Sequence, residues 1–131
     1  MNCRDFDLRL VNGSTPSSGR IEICYQEIWG TICDQSWSTF DANVACRQLG
    51  FAPSGTPRYN AFYGQGTGPL LLDDLICRNT EERLIDCAHG GIGMTDFCRG
   101  HLDDAGLECR ESKFNRANLM TKNLVLMFYR L

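Results

Sequence analysis

The sequence predicts a single α+β domain with long loops and four disulfides, and three features carry that prediction. Eight cysteines are spread through 131 residues without a metal-type pairing. Short apolar runs of strand period fall early and late in the chain. One stretch between them switches to helical period. The length gives room for one domain of ordinary size, and a 43% hydrophobic share is enough for a core.

The cysteines are Cys3, Cys24, Cys33, Cys46, Cys77, Cys87, Cys98 and Cys109, with successive gaps of 21, 9, 13, 31, 10, 11 and 11 residues. No pair has the short knuckle spacing of a tetrahedral zinc site, and only His89 and His101 are available as imidazole ligands. An even number of scattered cysteines reads as four bridges and an oxidising compartment. Spacing alone leaves on the order of a hundred pairings open.

Elements follow from the local pattern. Asp7-Leu8-Arg9-Leu10-Val11 alternates as a strand does, and Asn12-Gly13-Ser14 opens a turn-rich stretch to Gly19. Asn12 also begins the one Asn-x-Ser/Thr glycosylation signal. Arg20-Ile21-Glu22-Ile23-Cys24 alternates again, and Ile28-Trp29-Gly30-Thr31-Ile32-Cys33 is a third apolar and β-branched run. Ser38-x-x-Asp41 then reads as a capping box, followed by Ala42, Ala45, Cys46 and Leu49 on one helical face and Gly50 as the stop. Residues 52–69, rich in glycine and proline, read as a long loop with little regular structure. The run from Leu70 to Cys77 reads as a buried strand entering a turn. Asn79-x-x-Glu82 reads as the cap of a short helical turn carrying Leu84, Ile85 and Cys87, and Ala105-Gly106-Leu107-Glu108-Cys109 as the closing strand. Trp29, Trp37, Leu49 and Leu72 are the expected core.

Charge is uneven. The net charge is −3, yet residues 110–131 carry Arg110, Lys113, Arg116, Lys122 and Arg130 against Glu111 alone. The body is therefore acidic, which argues against nucleic acid as the main partner. Residues 1–111 read as the stapled domain, and 112–131 as a basic tail of disordered type. No apolar run reaches the length of a membrane span, and the first residues lack the pattern of a signal peptide, so the expected secretion signal lies outside this chain.

Several strings recur in a known order: Gly19-Arg20-Ile21-Glu22-Ile23, Trp29-Gly30-Thr31-Ile32-Cys33-Asp34, Asp41-Ala42-Asn43-Val44-Ala45-Cys46-Arg47-Gln48-Leu49-Gly50, Gly64-Gln65-Gly66-Thr67-Gly68-Pro69, Leu72-Asp73-Asp74 and Asp104-Ala105-Gly106-Leu107-Glu108-Cys109. Together they resemble the scavenger receptor cysteine-rich (SRCR) domain from about Leu8 to Cys109. The resemblance implies a curved antiparallel sheet cradling one main α-helix. It also implies the bridges Cys33–Cys98, Cys46–Cys109 and Cys77–Cys87. Phe51 stands where one branch of the family has a further cysteine, and Cys3 and Cys24 are then left to pair with each other. The wide Cys33–Cys98 loop should contribute about 4 kcal/mol in the chain-entropy account.

No nucleophile elbow or zinc-protease helix motif is present, and every cysteine is committed to a bridge, so no enzyme is expected. No cofactor is required. The resemblance implies a possible calcium site at Asp34 and Asp103, with Gln35 a weaker third because it replaces an aspartate. A second family site is poorer here, keeping Asp41 but with Ser38 and Phe97 in place of ligands. Asp41 is better explained as helix N-terminal charge. Arginines 47, 58, 78, 83 and 99 (Arg47, Arg58, Arg78, Arg83, Arg99) are candidate contacts for anionic ligands, as the family implies. The expected role is an extracellular ligand-binding module for a protein, glycan or polyanionic surface, secreted or on a membrane receptor. The alternative is a non-catalytic accessory module of a larger mosaic protein.

Overall fold

In a computed structural model of the chain, residues 3–111 are described. The basic tail expected at 112–131 lies outside the described residues. Six strands, one α-helix and two short 3₁₀ turns make up the domain. The strands are β1 (Leu8–Asn12), β2 (Ser18–Tyr25), β3 (Ile28–Ile32), β4 (Gly55–Arg58), β5 (Leu70–Leu72) and β6 (Gly106–Cys109); the helix is α1 (Thr39–Gln48).

The long strand β2 organises the sheet. It pairs antiparallel with β1 along one edge, and with β3 and β6 in succession along the other. β4 adds to β6 antiparallel, and β5 adds to β3 in parallel. The sheet is thus antiparallel except at one margin. Its concave face presents Ile21, Ile23, Ile32 and Leu107, which pack with Ala42, Val44, Ala45 and Cys46 of α1 and with Leu72, Leu75 and Leu84. This is a curled sheet wrapped on one helix.

The helix begins as its sequence demands. The Ser38 side chain accepts from the Phe40 and Asp41 amides, and Asp41 accepts from the Ser38 amide, completing a reciprocal capping box. Asp41 is fully buried and its other oxygen accepts the Cys77 amide, so this one carboxylate joins the helix start to the segment after β5. At the far end Gly50 takes the left-handed conformation, φ 89°, that stops a helix.

Disulfides join Cys3 to Cys24, Cys33 to Cys98, Cys46 to Cys109 and Cys77 to Cys87. They fix what the sheet does not. Cys46–Cys109 ties α1 to β6, and Cys33–Cys98 anchors the long loop before the last strand. Gly55 passes close beside the first of these, where a β-carbon would lie 2.8 Å from the Cys46 sulfur.

Three expectations need correction. The segment 52–69 is not a plain loop, because β4 lies within it. Its Pro57 is tolerated since β4 is an edge strand with one free side. The turn at Leu84–Asp86 is not capped by Asn79; Arg83 precedes it without a side-chain cap, and the Glu81 carboxylate instead accepts the Arg78 and Thr80 amides. Trp29 is only half-buried, on the outer face, with the Arg9 guanidinium stacked 4.4 Å from its ring. Trp37 and Leu72 are in the core, and Leu49 packs partly buried against it.

Candidate functional site

A carboxylate cluster gathers where β3 ends. Asp34 follows Cys33, and its amide donates to the Asp103 carbonyl at 2.9 Å, which brings together two residues far apart in sequence. Asp103 is 1% exposed. Arg99 clamps it: Nε and Nη2 donate to Oδ1 at 2.9 and 2.6 Å, and the Arg99 amide donates to Oδ2 at 2.9 Å. Gln35 Nε2 adds a fourth donor at 3.3 Å. The fork of Arg99 holds the Asp103 carboxyl down at about 2, despite its burial.

The neighbouring acids behave in the opposite way. Burial pushes Asp34 up, with the charge of Asp103 adding to the effect, while the Asn60 amide on Oδ2 at 2.7 Å partly offsets it. Burial likewise raises Asp73, and Asp74, Asp34 and Asp103 repel it further. Ser36 donates to Asp74. Arg99 thus offsets the charge of Asp103 directly and of Asp34 through space.

This arrangement does not fit a calcium ion as it stands. Calcium takes six to eight oxygens, roughly. Here both Asp103 oxygens are occupied by donors, and one Asp34 oxygen holds a backbone amide. Gln35 contributes a buried, unpartnered Oε1, but its amide nitrogen is what faces Asp103. Among the described residues the one convergent set of possible ligands is Cys77, Glu81 and Cys87, and both of its sulfurs are in a disulfide. Asp41, the remnant of the second site, spends both oxygens on capping and on Cys77.

The arginines fall into two groups. Arg47 is turned to structural use, donating to the Glu81 and Asn79 carbonyls, and so lies with Arg78 and Arg83 near the 79–86 segment. Arg83 makes a long, exposed pair with Asp86 at 3.7 Å. Arg58 and Arg99 meet at the loop between them. Arg58 stacks 4.6 Å over the Phe62 ring and pairs with Glu108, while Arg99 Nη2 reaches Asn60 Oδ1 at 3.3 Å. The Tyr63 hydroxyl first, then Arg58, holds Glu108 below the usual range.

The loop linking these two arginines is held rigidly. Asn60 donates to Asp34, Ala61 donates to the Asp104 carbonyl at 3.0 Å, and Gly64 donates back to Ala61. Asn60 and Ala61 both take positive φ, 58° and 53°, a conformation that costs an alanine roughly 1 kcal/mol. The result projects Tyr59 and Phe62 outward, 44% and 58% exposed. Neither aromatic was anticipated from sequence. The available signal was their position in a glycine- and proline-rich segment, where a core role has no periodic support.

Among the described residues one candidate relay is close in space but not arranged for catalysis. Thr31, His101 and Asp104 are in contact, but Thr31 and Asp104 both meet the same ring nitrogen, Nδ1, while Nε2 faces the Gly68 carbonyl at 2.8 Å. A relay needs nucleophile and acid on opposite nitrogens, and Thr31 is fully buried. Asn12, the glycosylation candidate, is exposed at the end of β1, with Nδ2 3.4 Å from the Tyr63 carbonyl.

A curled sheet on one helix, four bridges and a rigid exposed loop define a disulfide-stapled module. The chain belongs to the scavenger receptor cysteine-rich domain family, which matches residues 11–110. It is 45% identical over 103 residues to a scavenger receptor cysteine-rich domain superfamily protein of Patiria pectinifera, covering 79% of this chain and 9% of that protein. It is 46% identical over 103 residues to lysyl oxidase homolog 4 of Mus musculus, covering 78% of this chain and 13% of that protein. The third SRCR domain of murine neurotrypsin superposes with a TM-score of 0.70 at 38% identity, covering 79% of this chain and 95% of that domain. The chain thus spans a small fraction of the curated relatives it matches. The family is generally non-catalytic and extracellular. Among the described residues, no helix is long and apolar enough to cross a membrane.

Proposed function

We propose that the chain is the ligand-recognition module of a larger extracellular protein of scavenger-receptor type. In this reading it meets a protein, glycan or polyanionic surface through Arg58, Tyr59, Phe62 and Arg99. The supporting observation is the rigid loop that exposes Tyr59 and Phe62, with the Arg58 guanidinium over Phe62 and Arg99 bonded to Asn60 between them in sequence. Aromatic and arginine side chains fixed before binding lose little entropy on association, and such residues dominate recognition surfaces. Recognition then needs no calcium, because Arg99 already supplies the positive charge beside Asp34 and Asp103. Arg47 serves the fold, and Arg78 and Arg83 lie outside this face, near the 79–86 segment. Asn12 carries a glycan in this reading, being exposed and in a turn.

The test is capture of the oxidised chain on immobilised dextran sulfate and on a panel of extracellular proteins, in EDTA. Phe62→Ser and Arg58→Ser should each weaken capture about tenfold with melting temperatures close to the parent's. Equal capture by both variants refutes the face. A second reading, that of an accessory module, is favoured by the small share of each relative that the chain spans. It predicts no capture by the isolated chain and binding only to neighbouring domains.

A further inference from the structure

The geometry points to a second recognition element, the free edge of β1, as the docking site for an extended acidic segment of another protein. β1 pairs only with β2 among the described residues. The bond from the Cys24 amide to the Asp7 carbonyl sets the phase of this ladder. In antiparallel alternation Arg9 and Val11 then face β2, while the N–H and C=O groups of Leu8 and Leu10 face outward, where they take no partner among the described residues. An unpaired edge of this kind is a template for an added strand.

The surroundings of this edge are shaped for such a strand. An open groove of about 530 Å³ is lined by Leu8, Arg9, Trp29, Leu49 and Arg83, with Asp7 and Gln48. These residues lie on both sides of the sheet. Arg9 and Trp29 stack on the outer face, whereas Leu8 and Leu49 pack toward the core. An added strand sends alternate side chains to opposite faces. One set would lie beside Arg9 on the outer face, the other beside Leu8 and Leu49, with Arg83 in the same groove lining. Gln48 braces the groove floor, donating to the Phe6 carbonyl and accepting the Leu84 amide.

Charge selects the occupant. Arg9 shares the single carboxylate of Glu22 with Arg20, and Arg83 has only its long pair to Asp86. Asp7 is the one acid in the lining. Two guanidinium groups against one carboxylate favour carboxylates on the incoming segment. A second copy of this chain is disfavoured, because antiparallel pairing brings another Arg9 to the same edge. The basic stretch at 112–131 is disfavoured on the same ground.

The test uses the full oxidised chain, ¹⁵N-labelled, with two synthetic decapeptides, one alternating Glu and Val and the other Lys and Val. The Glu-Val peptide should slow amide exchange at Leu8 and Leu10, leave Arg9 and Val11 unchanged, and bind about tenfold more tightly than Lys-Val. Arg83→Glu should remove most of that preference while keeping the parent's melting temperature. Equal response to both peptides, or shifts away from β1, overturns the inference. Protection of Leu8 and Leu10 that grows with protein concentration alone also overturns it, by assigning the edge to a second copy. Dextran sulfate run in parallel reports on residues 58–62 and 99, so failure at either surface is read separately from the other.

Discussion

Replacing Arg99 with alanine tests how the acidic cluster is held. The substitution removes both side-chain donors on Asp103 Oδ1 and leaves the residue 99 amide and Gln35 on the other oxygen. Stranding a buried carboxylate outright costs about 3–5 kcal/mol. Two donors remain here, and the Arg99 side chain is 65% exposed, so water screens part of the pair. The variant should therefore melt clearly below the parent, by roughly 8 °C for a domain of this size. Calcium provides the second reading of the same variant. With Arg99 gone, Asp103 loses its paired cation, Asp34 loses the same offset, and both still repel Asp73. Millimolar calcium should then raise the variant's melting temperature and leave the parent's unchanged. The assay is thermal unfolding of the oxidised chain by circular dichroism, in EDTA and in calcium. A variant as stable as the parent, or a parent that responds to calcium as strongly as the variant, refutes the reasoning.

Three further outcomes follow from the geometry. Asp103 titrates lower in the folded chain than in the unfolded one, so its contribution is full above about pH 4 and is lost as pH falls toward 2; on the order of 1 kcal/mol should disappear across that window in acid unfolding, and not in Asp103→Asn. Trp37, 3% exposed, donates Nε1 to the Gly106 carbonyl at 2.9 Å, so Trp37→Phe should cost about 1–3 kcal/mol in urea through loss of that buried hydrogen bond and of ring volume. Gly68→Ala should destabilise by about 1–3 kcal/mol, because its β-carbon would lie 2.1 Å from the Trp29 carbonyl oxygen and the loop must shift; an unchanged urea midpoint contradicts that packing.

The parts of the fold legible in the sequence were those with local causes. Ser38 and Asp41 announce the helix because a capping box is written in neighbouring residues, and β1, β2, β3 and β6 announce themselves by alternation. β4 did not, since Gly55 and Pro57 are poor strand residues that only an edge position tolerates. The parallel pairing of β5 with β3 depends on where a long connection lands, which no local pattern encodes. Trp29 looked like core because size and strand context suggest it; its half-exposure comes from lying on the outer face beneath Arg9.

The site was legible only in part. Asp34 and Asp103 are brought together through the backbone, but the clamp on Asp103 comes from Arg99, four residues earlier across a short 3₁₀ turn. That spacing was visible, yet without helical period it gave no reason to pair them. Tyr59 and Phe62 were hidden for a related reason. Their exposure depends on two left-handed residues, Asn60 and Ala61, held by hydrogen bonds to Asp34 and Asp104 that arise only in the folded chain.

The most direct test of the account is an NMR map of a dextran sulfate oligosaccharide on the ¹⁵N-labelled oxidised chain in EDTA. The account predicts shifts centred on residues 58–62 and on Arg99, with no requirement for calcium. Shifts centred elsewhere, or binding that appears only once calcium is added, would contradict it.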